Sequence, residues 1–70
     1  MEVIFTRHAL ARLESRGIVQ EMVLDAVRFP TVTLKKYGKY YFLKETQNGT
    51  IEVVCEKTTD CLKVITVYWV

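Results

Sequence analysis

A chain of 70 residues has room for one domain, spanning residues 1–70, whose core covers only part of its surface. Half of the residues are hydrophobic, more than so small an interior hides, so some apolar surface is expected to meet a partner. The net charge of +2 permits a nucleic-acid partner without demanding one, and no run approaches the roughly 18 apolar residues of a membrane span.

The N-terminal stretch carries Glu2, Arg7, His8 and Arg12 among its apolar residues, which excludes a signal-peptide core. The expected location is cytoplasmic, with no membrane partner. Cys55 and Cys61 suit that compartment. They lack a CxxC spacing or neighbouring histidines, so they read as inert thiols and not as zinc ligands.

Glu2-Val3-Ile4-Phe5 is a short apolar run, read as a first strand. Thr6 can cap a helix through its side-chain oxygen. That helix runs to about Ser15, rich in Ala, Leu and Arg, and Gly17 supplies the left-handed residue that ends it. A second helix starts near Val19 or Gln20, with Glu21 in its first turn. Ile18, Met22, Val23, Ala26 and Val27 make its apolar stripe, and Pro30 stops it.

The remainder reads as strands. Thr31 to Lys35 alternates, Gly38 turns the chain, and Lys39 to Thr46 contains Tyr40, Tyr41, Phe42 and Leu43. Asn48-Gly49 predicts a two-residue type I′ turn, followed by a strand over Ile51 to Lys57. Thr58-Thr59-Asp60 is a looser turn, and Cys61 to Trp69 is apolar on both alternations. The predicted fold is α+β: a short N-terminal strand and a two-helix hairpin packed on a mainly antiparallel sheet of three to four strands.

The turns set a register. Asn48-Gly49 places Thr46 opposite Ile51, Lys44 opposite Val53 and Phe42 opposite Cys55. Thr59-Asp60 places Cys55 opposite Val64, Val53 opposite Thr66, Ile51 opposite Tyr68 and Glu56 opposite Lys63. The helix-covered face then collects Tyr40, Phe42, Ile51, Val53, Cys55, Val64, Thr66 and Tyr68. The other face gathers an apolar strip of Leu43, Val54, Ile65, Val67 and Trp69 among acidic groups.

All four arginines and the one histidine lie within the first 28 residues. His8, Arg12 and Arg16, spaced by four, form a slowly drifting stripe on the first helix. Arginine offers phosphate a planar fork of donors, and histidine exchanges a proton near neutrality. Those parts serve an RNA-cleaving site, and they equally describe an ordinary solvated helix face. Lys35, Lys36, Lys39 and Tyr41 form a second, basic-aromatic stretch suited to nucleic acid, or to a charged strand edge that resists aggregation. Tyr68 and Trp69 read more simply as core or interface. Motifs for nucleotide cofactors and metal sites are absent, so no cofactor or metal is expected.

His8-Ala9, Arg12-Leu13 and Arg16-Gly17-Ile18, with the closing Val64-Ile65-Thr66-Val67-Tyr68, resemble the domain-of-unknown-function 4258 family (DUF4258). That resemblance covers nearly the whole chain. It implies a place near the RelE, ParE and BrnT toxins, with a RelE-like fold, RNA cleavage and neutralisation by an antitoxin. By the same match His8, Arg12 and Arg16 are candidate catalytic residues, joined by Thr66 and Tyr68. Val19 stands where such sequences often carry a capping Ser or Thr.

Two functions are therefore expected in competition. One is a metal-independent ribonuclease of a toxin–antitoxin system. The other is a non-catalytic protein-binding module, or a homodimer, that uses the apolar sheet face.

Overall fold

A computed structural model describes residues 2–70; Met1, which opens the expected domain range, lies outside the described residues. Two helices cover one face of a single five-stranded sheet. The strands are β1 (Glu2–Phe5), β2 (Val32–Lys36), β3 (Lys39–Thr46), β4 (Gly49–Lys57) and β5 (Cys61–Trp69), and the helices are α1 (Arg7–Arg16) and α2 (Gln20–Arg28). The spatial order is β1-β5-β4-β3-β2. The class is α+β as expected, but the strand count of three to four is exceeded. The sheet is mixed, because β1 pairs in parallel with β5 while all other pairs are antiparallel. The two helices carry the chain from β1 at one edge to β2 at the other, α1 lying over β5 and α2 over β3 and β4.

Local chemistry sets the helix ends. The Thr6 hydroxyl caps α1 by accepting from the Ala9 amide at 3.0 Å. Gly17 ends it at φ 66°, a left-handed conformation that costs glycine little. There the Gly17 amide donates to the Glu14 carbonyl and the Ile18 amide to the Leu13 carbonyl at 2.9 Å. Ile18 and Leu13 are both buried, which completes the apolar contact of a Schellman ending. Val19 gives α2 no side-chain cap, yet the helix starts at Gln20, because Val23 and Ala26 bury completely against the sheet. Lys44 fastens the other end of α2, donating to the Phe29 carbonyl at 2.7 Å and lying 3.5 Å from the Asp25 carboxylate.

The hairpins depart from the expected turns. The two-residue type I′ turn falls at Tyr37-Gly38, where φ is 54° and 76°. Both central positions of that turn need positive φ, and Tyr37 accepts it at a cost of about 1–2 kcal/mol. At the β3–β4 hairpin the loop is Gln47-Asn48, closed by Thr46 opposite Gly49. Lys44 therefore faces Ile51, and Phe42 faces Val53, a slip of two residues from the predicted pairing. A slip of two preserves the faces, so Tyr40, Phe42, Ile51, Val53 and Cys55 all lie on the helix side as expected.

The β4–β5 pairing begins as predicted, with Glu56 opposite Lys63 and Cys55 opposite Val64. Then Val54 meets Thr66, so Ile65 has no cross-strand partner and forms a β-bulge. Beyond it Val53 faces Val67, and Ile51 faces Trp69. This corrects the expected faces: Val67 and Trp69 join the core side, and Thr66 and Tyr68 turn to the uncovered side. The core is Ala9, Leu13, Ile18, Val23 and Ala26 of the helical layer against Ile51, Val53, Cys55, Leu62, Val64 and Val67 of the sheet.

Candidate functional site

The α1 helix is pinned to β5 at both ends. At its start the Thr6 amide donates to the Val64 carbonyl at 3.1 Å, and the Thr6 hydroxyl donates to the Ile65 carbonyl at 3.2 Å. At its end Arg16 Nη1 donates to the Val67 carbonyl at 2.7 Å, and Trp69 Nε1 donates to the Arg16 carbonyl at 2.8 Å. The bulge frees the Ile65 carbonyl to receive the hydroxyl, and the strand beyond it presents Trp69 to the helix end.

This frame splits the predicted stripe. Successive members advance by about 40° around the helix, so Arg16 lies about 80° from His8 and close to the meridian of buried Ala9. Accordingly Arg16 is half-buried, while His8 and Arg12 are exposed. Among the described residues neither His8 nor Arg12 enters an ion pair. A broad surface groove is lined by Leu10, Leu13, Ile18, Val19 and Leu24, with Glu14 at its rim. It lies across α1 from His8, and none of the three stripe residues lines it.

Thr66 and Tyr68 belong to a different surface. Both lie on the sheet face that no helix covers, so the sheet itself separates them from His8 and Arg12. Tyr68 donates to Glu52 Oε2 at 2.6 Å. That hydrogen bond, with desolvation, lifts the phenol from its ordinary 10.0 to about 12. Tyr68 is thus held protonated as a donor. Its Glu52 partner was missed in the sequence, because the predicted register put the two residues on opposite faces.

The basic-aromatic stretch sits at the far edge. Lys35 and Lys36 are on β2, and Lys39 and Tyr41 on β3, while α1 lies over β5. Lys35 Nζ lies 5.3 Å from the Tyr40 ring centre and Lys36 Nζ 5.4 Å from that of Tyr41, two cation–π contacts on opposite faces. Each ammonium lies over an aromatic face that a nucleic-acid base would otherwise stack on. Tyr37 at the turn is 92 % exposed.

The cysteines show no reactive setting. Cys55 is fully buried, which pushes its thiol up from 9.0 to about 12, and Cys61 lies 3.1 Å from the Thr58 hydroxyl. Among the described residues no group of three or more His, Cys, Asp and Glu could hold a metal ion. Among the same residues no helix is long and apolar enough to cross a membrane.

A family model described as Domain of unknown function (DUF4258) matches residues 5–69. The chain belongs to that family. The DUF4258 match runs from Phe5 through Trp69, so it takes in α1, both of its attachments to β5 and the bulge between them. Comparison with curated proteins returns no match. Comparison with solved structures returns none either.

Proposed function

We propose that this DUF4258 chain is a toxin-like protein of the RelE, ParE and BrnT kind, a metal-independent ribonuclease whose RNA-facing surface is the outer side of α1. The observation that carries the reading is the state of His8 and Arg12: one helical turn apart, exposed, outside any ion pair among the described residues, on a helix fixed at both ends. Side chains so spaced have Cβ atoms about 5–6 Å apart, within reach of one phosphodiester and its ribose.

In the proposed reaction the ribose 2′-oxygen attacks the adjacent phosphorus, the bond to the 5′-oxygen breaks, and a 2′,3′-cyclic phosphate and a 5′-hydroxyl form. His8 takes the 2′-hydroxyl proton, and water protonates the departing 5′-oxygen. Arg12 meets the charge that grows on the phosphoryl oxygens. Arg16 acts as a positioning residue through Val67, and Thr66 and Tyr68 stand apart from this chemistry. The His8 face is open, so bound RNA, or the particle that carries it, supplies the remaining walls of the site. The same reading places the protein in the cytoplasm with an antitoxin that neutralises it.

The test is cleavage of RNA by purified wild type, His8→Ala and Arg12→Ala. The proposal expects both substitutions to slow cleavage by about 100-fold or more. Cleavage by both variants at the wild-type rate removes His8 and Arg12 from the chemistry.

One observation favours a second reading, a protein-binding module or homodimer. The uncovered sheet face carries Ile4, Val32 and Leu34, all exposed, alongside Leu43 and buried Val54. Val67 and Trp69 are no longer part of that surface. Sedimentation separates the cases, since a monomer with no binding partner argues against this reading.

A further inference from the structure

We infer that the outer edge of β2 receives an extended segment of another protein as a sixth strand, acidic at its N-terminal end and apolar beyond. The edge is accessible along its whole length, because all five residues of Val32–Lys36 are exposed. β2 ends the sheet, so the backbone groups on its outer side have no strand partner. Strand addition to such an edge draws affinity from main-chain hydrogen bonds and selectivity from alternate side chains.

Charge and apolarity are distributed along this edge in a definite order. Val32 and Leu34, 46 % and 43 % exposed, project on the uncovered sheet face. Lys35 and Lys36 follow, one on each face, each held over a tyrosine ring of β3. An antiparallel partner therefore meets the lysines first and the apolar pair afterwards. Acidic side chains on both of its faces suit the first part, and apolar ones on the open face suit the second. A second copy of this chain is a poor occupant, because antiparallel pairing of two β2 edges about Leu34 sets Thr33 and Val32 of the copy opposite Lys35 and Lys36 and gives the lysines no acidic partner. RNA is disfavoured as well, since the lysines already occupy the rings of Tyr40 and Tyr41. The region lies at the opposite edge from α1, so the inference does not depend on the ribonuclease reading.

The probe is a capped peptide containing Glu-Glu-Val-Thr-Val, titrated into the isotope-labelled full chain, with Lys-Lys-Val-Thr-Val as control. The expected result is shift changes and slowed amide exchange confined to β2 and its β3 neighbours, with the acidic peptide binding about tenfold more tightly than the control. The double substitution Lys35→Glu and Lys36→Glu, on exposed positions, should reverse that preference. Three results overturn the inference: equal binding of both peptides, no perturbation of β2 by either, or a polyuridine oligonucleotide that perturbs β2 where the acidic peptide does not. Concentration-dependent dimerisation through β2 without peptide overturns it as well.

Discussion

Arg16 and Val67 lie 51 positions apart in the chain and are joined by a 2.7 Å hydrogen bond from Nη1 of the guanidinium to the main-chain carbonyl. With the Trp69 indole donating to the Arg16 carbonyl at 2.8 Å, it fixes the end of α1 to the end of β5. Arg16, which reads as a ligand-binding group, thereby has one guanidinium nitrogen in a structural contact. The expected consequence is that Arg16→Ala lowers stability by about 1–2 kcal/mol, the range for a partly screened bond to a charged donor. Arg12→Ala should leave the urea midpoint unchanged. Equal midpoints for Arg16→Ala and wild type would show that the contact contributes nothing.

The core makes a stronger demand. Leu13 is 5 % exposed and packs with Ile18 beneath the Gly17 turn. Leu13→Ala should cost about 2–5 kcal/mol, a large share of the stability of so small a domain. Thermal unfolding followed by circular dichroism measures it. A loss below about 1 kcal/mol would mean that the helical layer is packed more loosely than described.

Removing Ile65 should be tolerated. Leu62 and Val64 bury on one alternation of β5, whereas Val67 and Trp69 lie on the helix side on the other, and the unpaired Ile65 accounts for the switch. Without it the pattern alternates cleanly through the strand, and the main loss is the Ile65 carbonyl that accepts from Thr6, worth about 1 kcal/mol. Trp69 fluorescence in the deletion variant should retain the emission of a half-buried indole. A shift to the emission of a fully solvated one would contradict the register.

Alkaline pH should weaken the fold in a defined window. Tyr68 rises from 10.0 to about 12, chiefly through its hydrogen bond to Glu52, and Cys55 rises from 9.0 to about 12 through burial. Both groups hold their proton more tightly folded than unfolded. Their contribution is therefore complete below pH 9 and is lost as the pH rises from 9 through about 12. Urea midpoints measured across that range should fall, and Tyr68→Phe should make the fall shallower. A midpoint that stays flat from pH 9 to 12 would refute both assignments.

Much of the fold was legible because it rests on local signals. Thr6, Gly17 and Pro30 mark helix ends by chemistry that needs no tertiary context, and the stripe from Ile18 to Val27 is buried or half-buried as its spacing implies. What was missed depends on distant pairing. Asn48-Gly49 suggested the I′ turn, but that turn formed at Tyr37-Gly38, where the flanking strands impose a left-handed tyrosine. The two-sided apolarity of β5 suits a central or doubly covered strand, and β5 does lie inside the sheet between β1 and β4, but the same pattern also marks a change of alternation at Ile65. That one extra residue moved Thr66 and Tyr68 away from the helices and brought Trp69 to Arg16. The stripe of His8, Arg12 and Arg16 was visible as spacing, and the drift of the helix decided which member turned inward.

The most direct measurement is a titration of the isotope-labelled chain with a short single-stranded RNA, read amide by amide. An RNA-binding α1 requires perturbations concentrated on its outer side around His8, Arg12 and Ser15, weakened by Arg12→Ala and by added salt. Perturbations confined to the β2 and β3 lysines, or none at all while the protein remains folded, would contradict it.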